Sequence, residues 1–392
     1  MNILFGILAI VVLIGIGFLF SENKREIQWR TVGMGLLMQF IILFVFIKIP
    51  FGEKVILEVS KAVTTVINFG SEGIKFVFGK LATDYFTFAV NILAIICFTS
   101  TIISILYYFR IIPFLVKYLG KAIAKLMGTK EVETFCAVGN SFLSATESPL
   151  LTKPYLPKLT RSELFCVVVG GFSSVSVSAI GGYALMGIPM KYILIAMTTV
   201  PFSTLLMSKI IIPETEKTCF DSADIDTSNA SNVFDAIGEG AITGVNLAIS
   251  VGAVLIAFIG VITGINYVLG LMGTSLADIF SIILRPLAWV FNIPNSDIGA
   301  FTNLIGLKIS SNEFVAFGQL GKIINTLQPR TQAILSVALC NFANLSVIGI
   351  SIAGFRSFAP ERANEVSGFG LKALLGGILT TLITGAIVGM MF

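Results

Sequence analysis

The chain alternates long uncharged runs with short segments that carry its charges. Seven runs are near or above the length of about 17–20 apolar residues that a helix needs to cross a bilayer. They occupy residues 2–20, 31–47, 85–109, 164–190, 240–277, 331–355 and 373–392. An eighth run, 192–208, is slightly short but extends to residue 213. The pattern predicts eight transmembrane helices, with a bend near residues 270–273 because the run 240–277 is too long for one simple span.

Two other stretches place charges among apolar residues at intervals of a few positions. Residues 51–80 and 275–294 both show this pattern, which is typical of a helix lying in the membrane interface. Trp289 in the second stretch is a residue that favours the headgroup zone. We therefore expect an all-α integral membrane protein with interfacial helices beside its spans.

The composition supports this class and excludes others. Of the 392 residues, 55% are hydrophobic and 12% are charged, and the mean hydropathy is +0.93. These values are typical of a membrane protein. The formal net charge of +4 is small and scattered, so we expect no nucleic-acid partner. The chain has no histidine, which removes histidine-based catalysis and histidine metal sites, so we expect neither an enzyme nor a bound cofactor.

One carboxylate lies where the apolar pattern predicts membrane depth. Glu147 ends an uncharged run that follows Glu133 and is too short to cross, and the run breaks at Ser148-Pro149. A carboxylate at that depth costs about 2.5–3.5 kcal/mol on insertion scales, so it indicates a functional site by default. Irregular backbone in a membrane is tolerated only where it is buried in protein or lines a cavity. We interpret this region as a re-entrant half-helix, a tip and a return.

The same arrangement recurs later in the chain. Glu313 again follows a short apolar run, and each acidic tip is followed by a basic turn, at Arg161 and at Arg330. An apolar stretch interrupted by a polar cluster comes next, FSSVS at 172–176 and FANLS at 342–346. Serine and asparagine that only pack helices together would explain single polar positions, but not two matching units. Repeated broken helices that meet near the midplane indicate a secondary transporter.

These features divide the chain into four parts. We expect a scaffold of spans and an interfacial helix in 1–84, and the first half of a transport core, with the first re-entrant hairpin, in 85–213. A polar linker occupies 214–233, and 234–392 holds the second half with the second hairpin and the C-terminal spans. Lysines and arginines of the loops fall on one side if both termini lie outside, although the lysines of 48–80 do not follow this distribution.

Three motifs resemble the concentrative nucleoside transporter family, specifically its prokaryotic nucleoside:cation symporters. They are ATESPLLTKPYLPKLTRSELF, SSNEFVAF and CNFANLS, which correspond in order to the family's G-Q-[ST]-E-[AS]-P-L-L with K-P-Y-L and T-[RK]-S-E, its N-E-F-[VA]-A, and its G-F-A-N-[FL]-S-S. The resemblance runs from about residue 103 to the C terminus. It implies a homotrimer in the cytoplasmic membrane of a bacterium. Each protomer would have two opposed re-entrant hairpins and two unwound helices around a site that takes up nucleosides with sodium or protons by alternating access.

The resemblance and the chemistry of a nucleoside assign the substrate site. Ribose hydroxyls suit a carboxylate and an amide, as Glu147 and Asn344 provide. The family places Glu313 and Thr146 toward the base, and Phe342 offers an apolar wall. The alternatives are ordinary core packing for Phe342 and a network of helix–helix hydrogen bonds for the polar residues.

The coupling ion is assigned by the same resemblance. Asn140 and Ser174 would supply side-chain oxygens to sodium, and Leu143 and Val175 would supply backbone carbonyls, as unwound segments do in other transporters. No carboxylate is needed in this set, which favours sodium. Glu147 or Glu313 as a proton carrier is the alternative.

Two positions depart from the family pattern. Ala145 stands where glutamine is usual, and Val347 replaces the second serine of the last motif. Ala145 cannot hydrogen-bond a pyrimidine edge and leaves room for the second ring of a purine, so we expect purine-leaning selectivity.

Three other functions are alternatives to nucleoside symport. The same architecture can carry another small polar solute, an intramembrane enzyme would use Glu147 and Glu313 as an acid–base pair, and a channel would pass solute without accumulating it. The enzyme is disfavoured because the sequence has no nucleophile motif, no metal-ligand cluster and no histidine.

Overall fold

The computed structural model describes residues 2–84, 87–145, 147–217 and 230–392. Thr146 and most of the predicted polar linker therefore lie outside the described residues. The helices of the N-terminal part are α1 (Asn2–Leu19), α2 (Trp29–Lys48), α3 (Pro50–Phe78), α4 (Lys80–Thr83) and α5 (Ala94–Tyr108), the last preceded by a π-helical turn at Phe88–Leu93.

The first repeat follows these helices. Its elements are α6 (Ile111–Met127), α7 (Glu131–Gly139), a 3₁₀ segment at Ser148–Lys158, α8 (Arg161–Ser173), α9 (Val177–Leu185) and α10 (Met190–Ile211). We call α7, its tip and the 3₁₀ segment the first hairpin, because the two arms pack against each other.

The second repeat has the same order of elements. After α11 (Val233–Gly270) and α12 (Leu276–Val290) come α13 (Ile298–Ser310), α14 (Glu313–Ile323), α15 (Pro329–Ala338), α16 (Leu345–Phe358) and α17 (Ala363–Met390), with 3₁₀ turns at Ile324–Thr326 and Pro360–Arg362. The packed pair α13 and α14 is the second hairpin. The broken helices are α8–α9 and α15–α16.

The predicted spans agree closely with these helices. Within the described residues, seven helical stretches are long and apolar enough to cross a membrane, and they match seven of the eight predicted runs. The eighth run, 331–355, is divided between α15 and α16, because the polar cluster at its middle interrupts the helix. The bend near 270–273 is confirmed, since α11 ends at Gly270 and Gly273 adopts a left-handed φ of +73°. The all-α membrane fold is confirmed.

Burial differs strongly among the helices. The stretch α8–α9 and α10 are buried along almost their whole length, and α17 along most of it. By contrast, few residues are buried in α1, in α2 and in the Val233–Ala253 part of α11. The broken helix of the first repeat therefore lies at the centre of the molecule, with α10 and α17 packed beside it.

A buried ion pair fixes the base of the first hairpin. The ammonium of Lys209 on α10 lies 2.6 Å from the carboxylate of Glu133 on α7 and donates to Ser162 Oγ at 2.9 Å. Breaking such a pair would leave an uncompensated buried charge, at a cost of about 3–5 kcal/mol. The contact thus holds the N-terminal end of α7 to the central helices.

The two basic turns are anchored in different ways. Arg161 forms an ion pair with Glu22 at 2.9 Å. Arg330 instead donates to the backbone carbonyls of Gly389 at 2.8 Å and Asn292 at 2.9 Å. The first turn is therefore held by charges and the second by main-chain acceptors.

Candidate functional site

The tip of the first hairpin packs directly on the break in the first helix. Ser174 and Ser176 adopt extended ψ angles of 140° and 126°, which end α8 and release backbone N–H groups before α9 begins. The N–H of Val175 donates to the Asn140 carbonyl at 3.0 Å, and the Ser174 hydroxyl donates to the Leu143 carbonyl at 2.5 Å. The four residues predicted to bind sodium are therefore brought together.

Asn140 is the centre of a further set of contacts. Its amide donates to the Cys136 carbonyl at 2.7 Å, and its Oδ1 accepts a hydrogen bond from Ser148 at 2.6 Å. A Cβ at position 170 would lie 2.3 Å from the Asn140 amide nitrogen, so Gly170 lets the tip approach α8 this closely. Asn140, Ser148 and Ser174 are all fully buried.

Several buried oxygens of this region have no hydrogen-bond partner. They are the hydroxyls of Ser141, Ser176 and Thr204. Buried polar groups are normally satisfied, so these unpaired hydroxyl oxygens are suited to a hard cation. The donors named here are neutral hydroxyl oxygens, and the described residues contain no group of three or more Cys, Asp or Glu residues that could hold a metal ion.

The tip of the second hairpin places a carboxylate at the start of a helix. Asn312 accepts a hydrogen bond from the Val315 N–H at 3.0 Å, which caps α14 and makes Glu313 its first residue. A helix N-terminus favours negative charge. Glu313 is only 3% exposed, and its Oε1 accepts a hydrogen bond from the Tyr183 hydroxyl at 3.2 Å. Its Oε2 has no partner, which leaves one buried acceptor available.

The break in the second helix is closed by an asparagine cap. Asn344 Oδ1 accepts hydrogen bonds from the Ser346 and Val347 N–H groups at 3.0 and 3.3 Å, and α16 begins at the next residue. Asn344 and Glu313 line the same cavity. Tip and break thus meet in the second repeat as they do in the first.

Both repeats contribute to one cavity of about 130 Å³. Its lining includes five of the predicted substrate residues, which are Ala145, Glu313, Phe342, Asn344 and Val347. Ser144, Asn312, Phe314 and Ser346 also line it. The cavity therefore lies where the two tips and the second break converge.

Glu147 was expected to line the substrate cavity, but it is not among the residues that do so. It is half-buried, and its Oε2 accepts a hydrogen bond from the Ser144 N–H at 2.8 Å. The carboxylate closes the turn that presents Ser144 and Ala145 to the cavity. Thr146, assigned to the base by resemblance, lies outside the described residues.

Sequence reasoning missed several residues at the site. Leu247, Ser250 and Val251 of α11 line one wall of the cavity, and Tyr183 holds Glu313 across 130 positions of sequence. These contacts depend on the packing of distant helices, which periodicity does not reveal. The sequence contained one indication of Tyr183, since it is the only residue with a polar side-chain group in the apolar stretch GGYAL.

Comparison with known proteins supports the same assignment. Family models described as the C-terminus and N-terminus of the Na⁺-dependent nucleoside transporter match residues 192–389 and 8–81, and one described as nucleoside recognition matches residues 89–190. The chain is 39% identical to an uncharacterized transporter, YutK, of Bacillus subtilis, with all of both chains covered. It is 37% identical to the nucleoside permease NupC of Helicobacter pylori, covering 99% of this chain and 97% of that one.

Solved structures show the same fold. A structure of CNTnw in an inward-facing, substrate-bound state matches with a TM-score of 0.96 and 36% identity, covering all of this chain and 99% of the other. An outward-facing structure of a CNTnw variant matches with a TM-score of 0.94 and 35% identity, covering all of this chain and 98% of the other. The chain therefore belongs to the Na⁺-dependent, concentrative nucleoside transporter family, whose members are multi-pass membrane transporters and not enzymes.

Proposed function

We propose that this protein accumulates nucleosides in symport with sodium by alternating access, using the cavity between the two tips as the substrate site. The observation that carries this proposal is the convergence of Glu313, Asn344 and the first tip on one cavity beside a cluster of neutral oxygens. The name of the family and of its relatives supports the substrate class and the ion.

The polar groups of the cavity suit a nucleoside. The unpartnered oxygen of Glu313 accepts a hydrogen bond from a base N–H, and Thr146 is assigned to the same side. Asn344 faces the ribose hydroxyls as donor and acceptor, and Phe342 supplies the apolar wall. Glu147 fixes the turn of the first tip, which carries Ala145 into the cavity, and in this way shapes one wall of the site.

Sodium is assigned to Asn140, Leu143, Ser174 and Val175, with Ser148 as a further hydroxyl. These residues join the first tip to the first break, and the same tip carries Ala145 into the cavity. An ion that holds the tip on the break therefore also fixes one wall of the substrate site. Shared use of the tip provides a physical route for coupling the two binding events.

Proton-coupled symport is the second candidate. It is favoured by the buried, unpartnered Oε2 of Glu313, an oxygen that a proton can occupy. In that case uptake would follow a pH gradient and would be independent of sodium.

Ala145 supports a proposal about the base. Its side chain lines the cavity and has no hydrogen-bonding group, so the site discriminates weakly at this point and accommodates purines. Val347 is buried and also lines the cavity, and we assign it to the ribose end, which its side chain narrows.

We also propose that the two hairpins are re-entrant in the membrane and that the protein is a homotrimer in the cytoplasmic membrane of a bacterium, with both termini outside. The motif resemblance supports the assembly and the hairpins. The distribution of Lys and Arg in the loops supports the orientation.

Radiolabelled nucleoside uptake in proteoliposomes tests the proposed function. With an inward sodium gradient and equal pH on both sides, we expect accumulation above the external concentration. We expect only equilibration without the gradient. Chemically unchanged nucleoside inside the vesicles excludes an enzyme, and accumulation driven by a pH gradient without sodium would replace sodium by protons as the coupling ion.

A further inference from the structure

The second hairpin contains a buried ammonium group that the proposed function does not use. Lys308 lies near the end of α13 and is 2% exposed. Its Nζ donates to the carbonyl oxygen of Ala338 at 2.8 Å and to Thr381 Oγ1 of α17 at 3.2 Å. The ammonium therefore connects the hairpin arm, the first half of the broken helix and α17.

The acceptor at Ala338 is the C-terminal end of a half-helix. Ala338 is the last residue of α15, and while backbone N–H groups just beyond the helix donate to the carbonyls of Leu335 and Val337, the Ala338 carbonyl accepts from Lys308. Such an end carries partial negative charge and attracts cations. Unwound carbonyls and half-helix C-terminal ends are the groups that coordinate the coupling ion in secondary transporters.

An ammonium in this place is costly unless it is compensated. A buried charge without a partner loses several kcal/mol of hydration. In the described part of the chain, the direct contacts of Lys308 are neutral oxygens, and the carboxylate of Glu313 acts on it from beyond ion-pair distance. The charge is thus balanced by a helix end and a more distant carboxylate, as a bound metal cation would be.

We call the contact between a hairpin tip and the broken helix of the same repeat a junction. Among the described residues, the first junction has no ammonium group. Its tip and break offer neutral oxygens at Asn140 and Ser174, with no basic residue in the segment 140–152. The buried lysine of the first repeat, Lys209, contacts Glu133 near the opposite end of α7, about 10 Å along the helix from the tip at 1.5 Å per residue. A cation at the first junction must therefore come from solution, whereas the second junction carries its own.

We propose that the Lys308 ammonium is a tethered cation that replaces a second coupling ion, holding the second hairpin to the C-terminal end of α15. The inference rests on the proposed function, because it gives the first repeat the only ion site that is filled and emptied during transport. Lys308 is a positioning residue, since it acts on the site through α13, α15 and Glu313. One sodium ion then accompanies each nucleoside.

Removing the amine while leaving its space tests this inference. Lys308→Ala vacates the position, and Lys308→Met fills it with an uncharged chain of similar length. We expect both variants to lose at least about tenfold in sodium-driven nucleoside uptake, because hydrogen bonds from a buried charge are lost. Ethylammonium, added at equal pH on both sides, is expected to restore uptake by Lys308→Ala several-fold, with no effect on the parent or on Lys308→Met.

A second readout does not depend on transport. In detergent solution, ethylammonium is expected to raise the melting temperature of Lys308→Ala, but not that of the parent or of Lys308→Met. If Lys308→Ala folds only when ethylammonium is present, that requirement supports the inference directly. Because this measurement needs neither nucleoside nor gradient, it separates a failure of the tethered cation from a failure of the proposed symport.

The sodium dependence provides the third readout. We expect a Hill coefficient of about one for the parent and a steeper dependence for Lys308→Ala, in which free sodium enters the vacated position. Parent-like uptake by Lys308→Met would overturn the inference, since the charge would then be dispensable. A Lys308→Ala variant that neither amine nor sodium restores or stabilises would overturn it as well.

Discussion

The two repeats have the same order of elements but different charges at their junctions. In the first, the tip meets the break through Asn140, Ser174 and neutral carbonyls. In the second, the corresponding elements carry the buried carboxylate of Glu313 and the buried ammonium of Lys308. The shared backbone creates two places with freed polar groups, and the side chains decide what each place binds.

This difference matches the two tasks that the proposed symport requires, which are binding an ion and binding a nucleoside. The first junction leaves unpaired oxygens that a solution cation can satisfy, and the second supplies a charged acceptor to the cavity. The two junctions communicate because Ala145 of the first tip and Glu313 of the second line the same cavity. Substitutions at Asn140 and Ser174 of the first junction should therefore alter ion dependence, whereas substitutions of the cavity residues Ala145 and Glu313 should alter substrate binding.

The largest effect is expected for Glu313→Gln. Its free oxygen is the proposed acceptor for the base, and a buried hydrogen bond to a charged group is worth about 1.5–3 kcal/mol. We expect nucleoside uptake to fall about tenfold to a hundredfold, with the sodium concentration for half-maximal uptake little changed. Uptake kinetics of the purified variant in proteoliposomes measure both quantities.

Glu147→Gln is the matched variant in the first repeat. The glutamine oxygen can still accept the Ser144 N–H, so we expect a smaller loss than for Glu313→Gln. Equal expression and thermal stability are required of both variants. Equal losses would show that the two carboxylates do not differ in role, and near-normal uptake by Glu313→Gln would remove it from the site.

Asn140→Ala and Ser174→Ala should act on the ion. Each removes one oxygen from the first junction, so we expect the sodium concentration for half-maximal uptake to rise several-fold, while uptake at saturating sodium falls less. Ser311→Ala is the control, because it removes a buried, unpartnered hydroxyl from the second tip. A shift as large in Ser311→Ala as in Ser174→Ala would contradict the division between the repeats.

Ala145→Gln should change base selectivity by a moderate amount. A glutamine adds an amide that can bond a pyrimidine edge and occupies the space left for a purine ring, so we expect a several-fold shift toward uridine and cytidine. Competition by adenosine, inosine, uridine and cytidine against one labelled substrate measures the shift. A parent that strongly prefers uridine, or a variant that moves toward purines, would contradict the proposed role of this position.

The smallest effect concerns the basic turns and pH. Hydrogen bonds from Arg161, and then from Lys372, lower the pKa of Glu22 from 4.5 to about 2. Because this pKa is lowered on folding, the pairing stabilises the protein above pH 4.5, and the contribution is lost as the pH falls toward 2. Glu22 is partly exposed, so the contribution is at most about 1 kcal/mol.

Thermal unfolding of two arginine variants tests this pH dependence. Arg161→Gln should narrow the difference in melting temperature between neutral and acidic solution. Arg330→Gln, which loses bonds to carbonyls, should destabilise the protein similarly at both pH values. The opposite pattern would contradict the contrast between the turns.

Much of this arrangement was predictable because it follows from sequence patterns within short segments. Apolar run lengths predict the spans, and the paired Glu-tip, basic-turn and F-x-x-x-S patterns predict both hairpins and both breaks. The residues that follow from long-range packing were not predictable, such as Tyr183 on Glu313 and the α11 wall of the cavity. Lys308 is an intermediate case, since a lone lysine in the apolar run IGLKISS marks a special environment, but its acceptors at Ala338 and Thr381 appear only in the fold.

The ratio of sodium to nucleoside flux tests the central claim most directly. Labelled sodium and labelled nucleoside entering the same proteoliposomes can be counted over the initial phase of uptake. If only the first junction takes its cation from solution, as proposed, one sodium ion enters with each nucleoside in the parent protein. A ratio of two, or nucleoside accumulation with no sodium entry, would contradict the account.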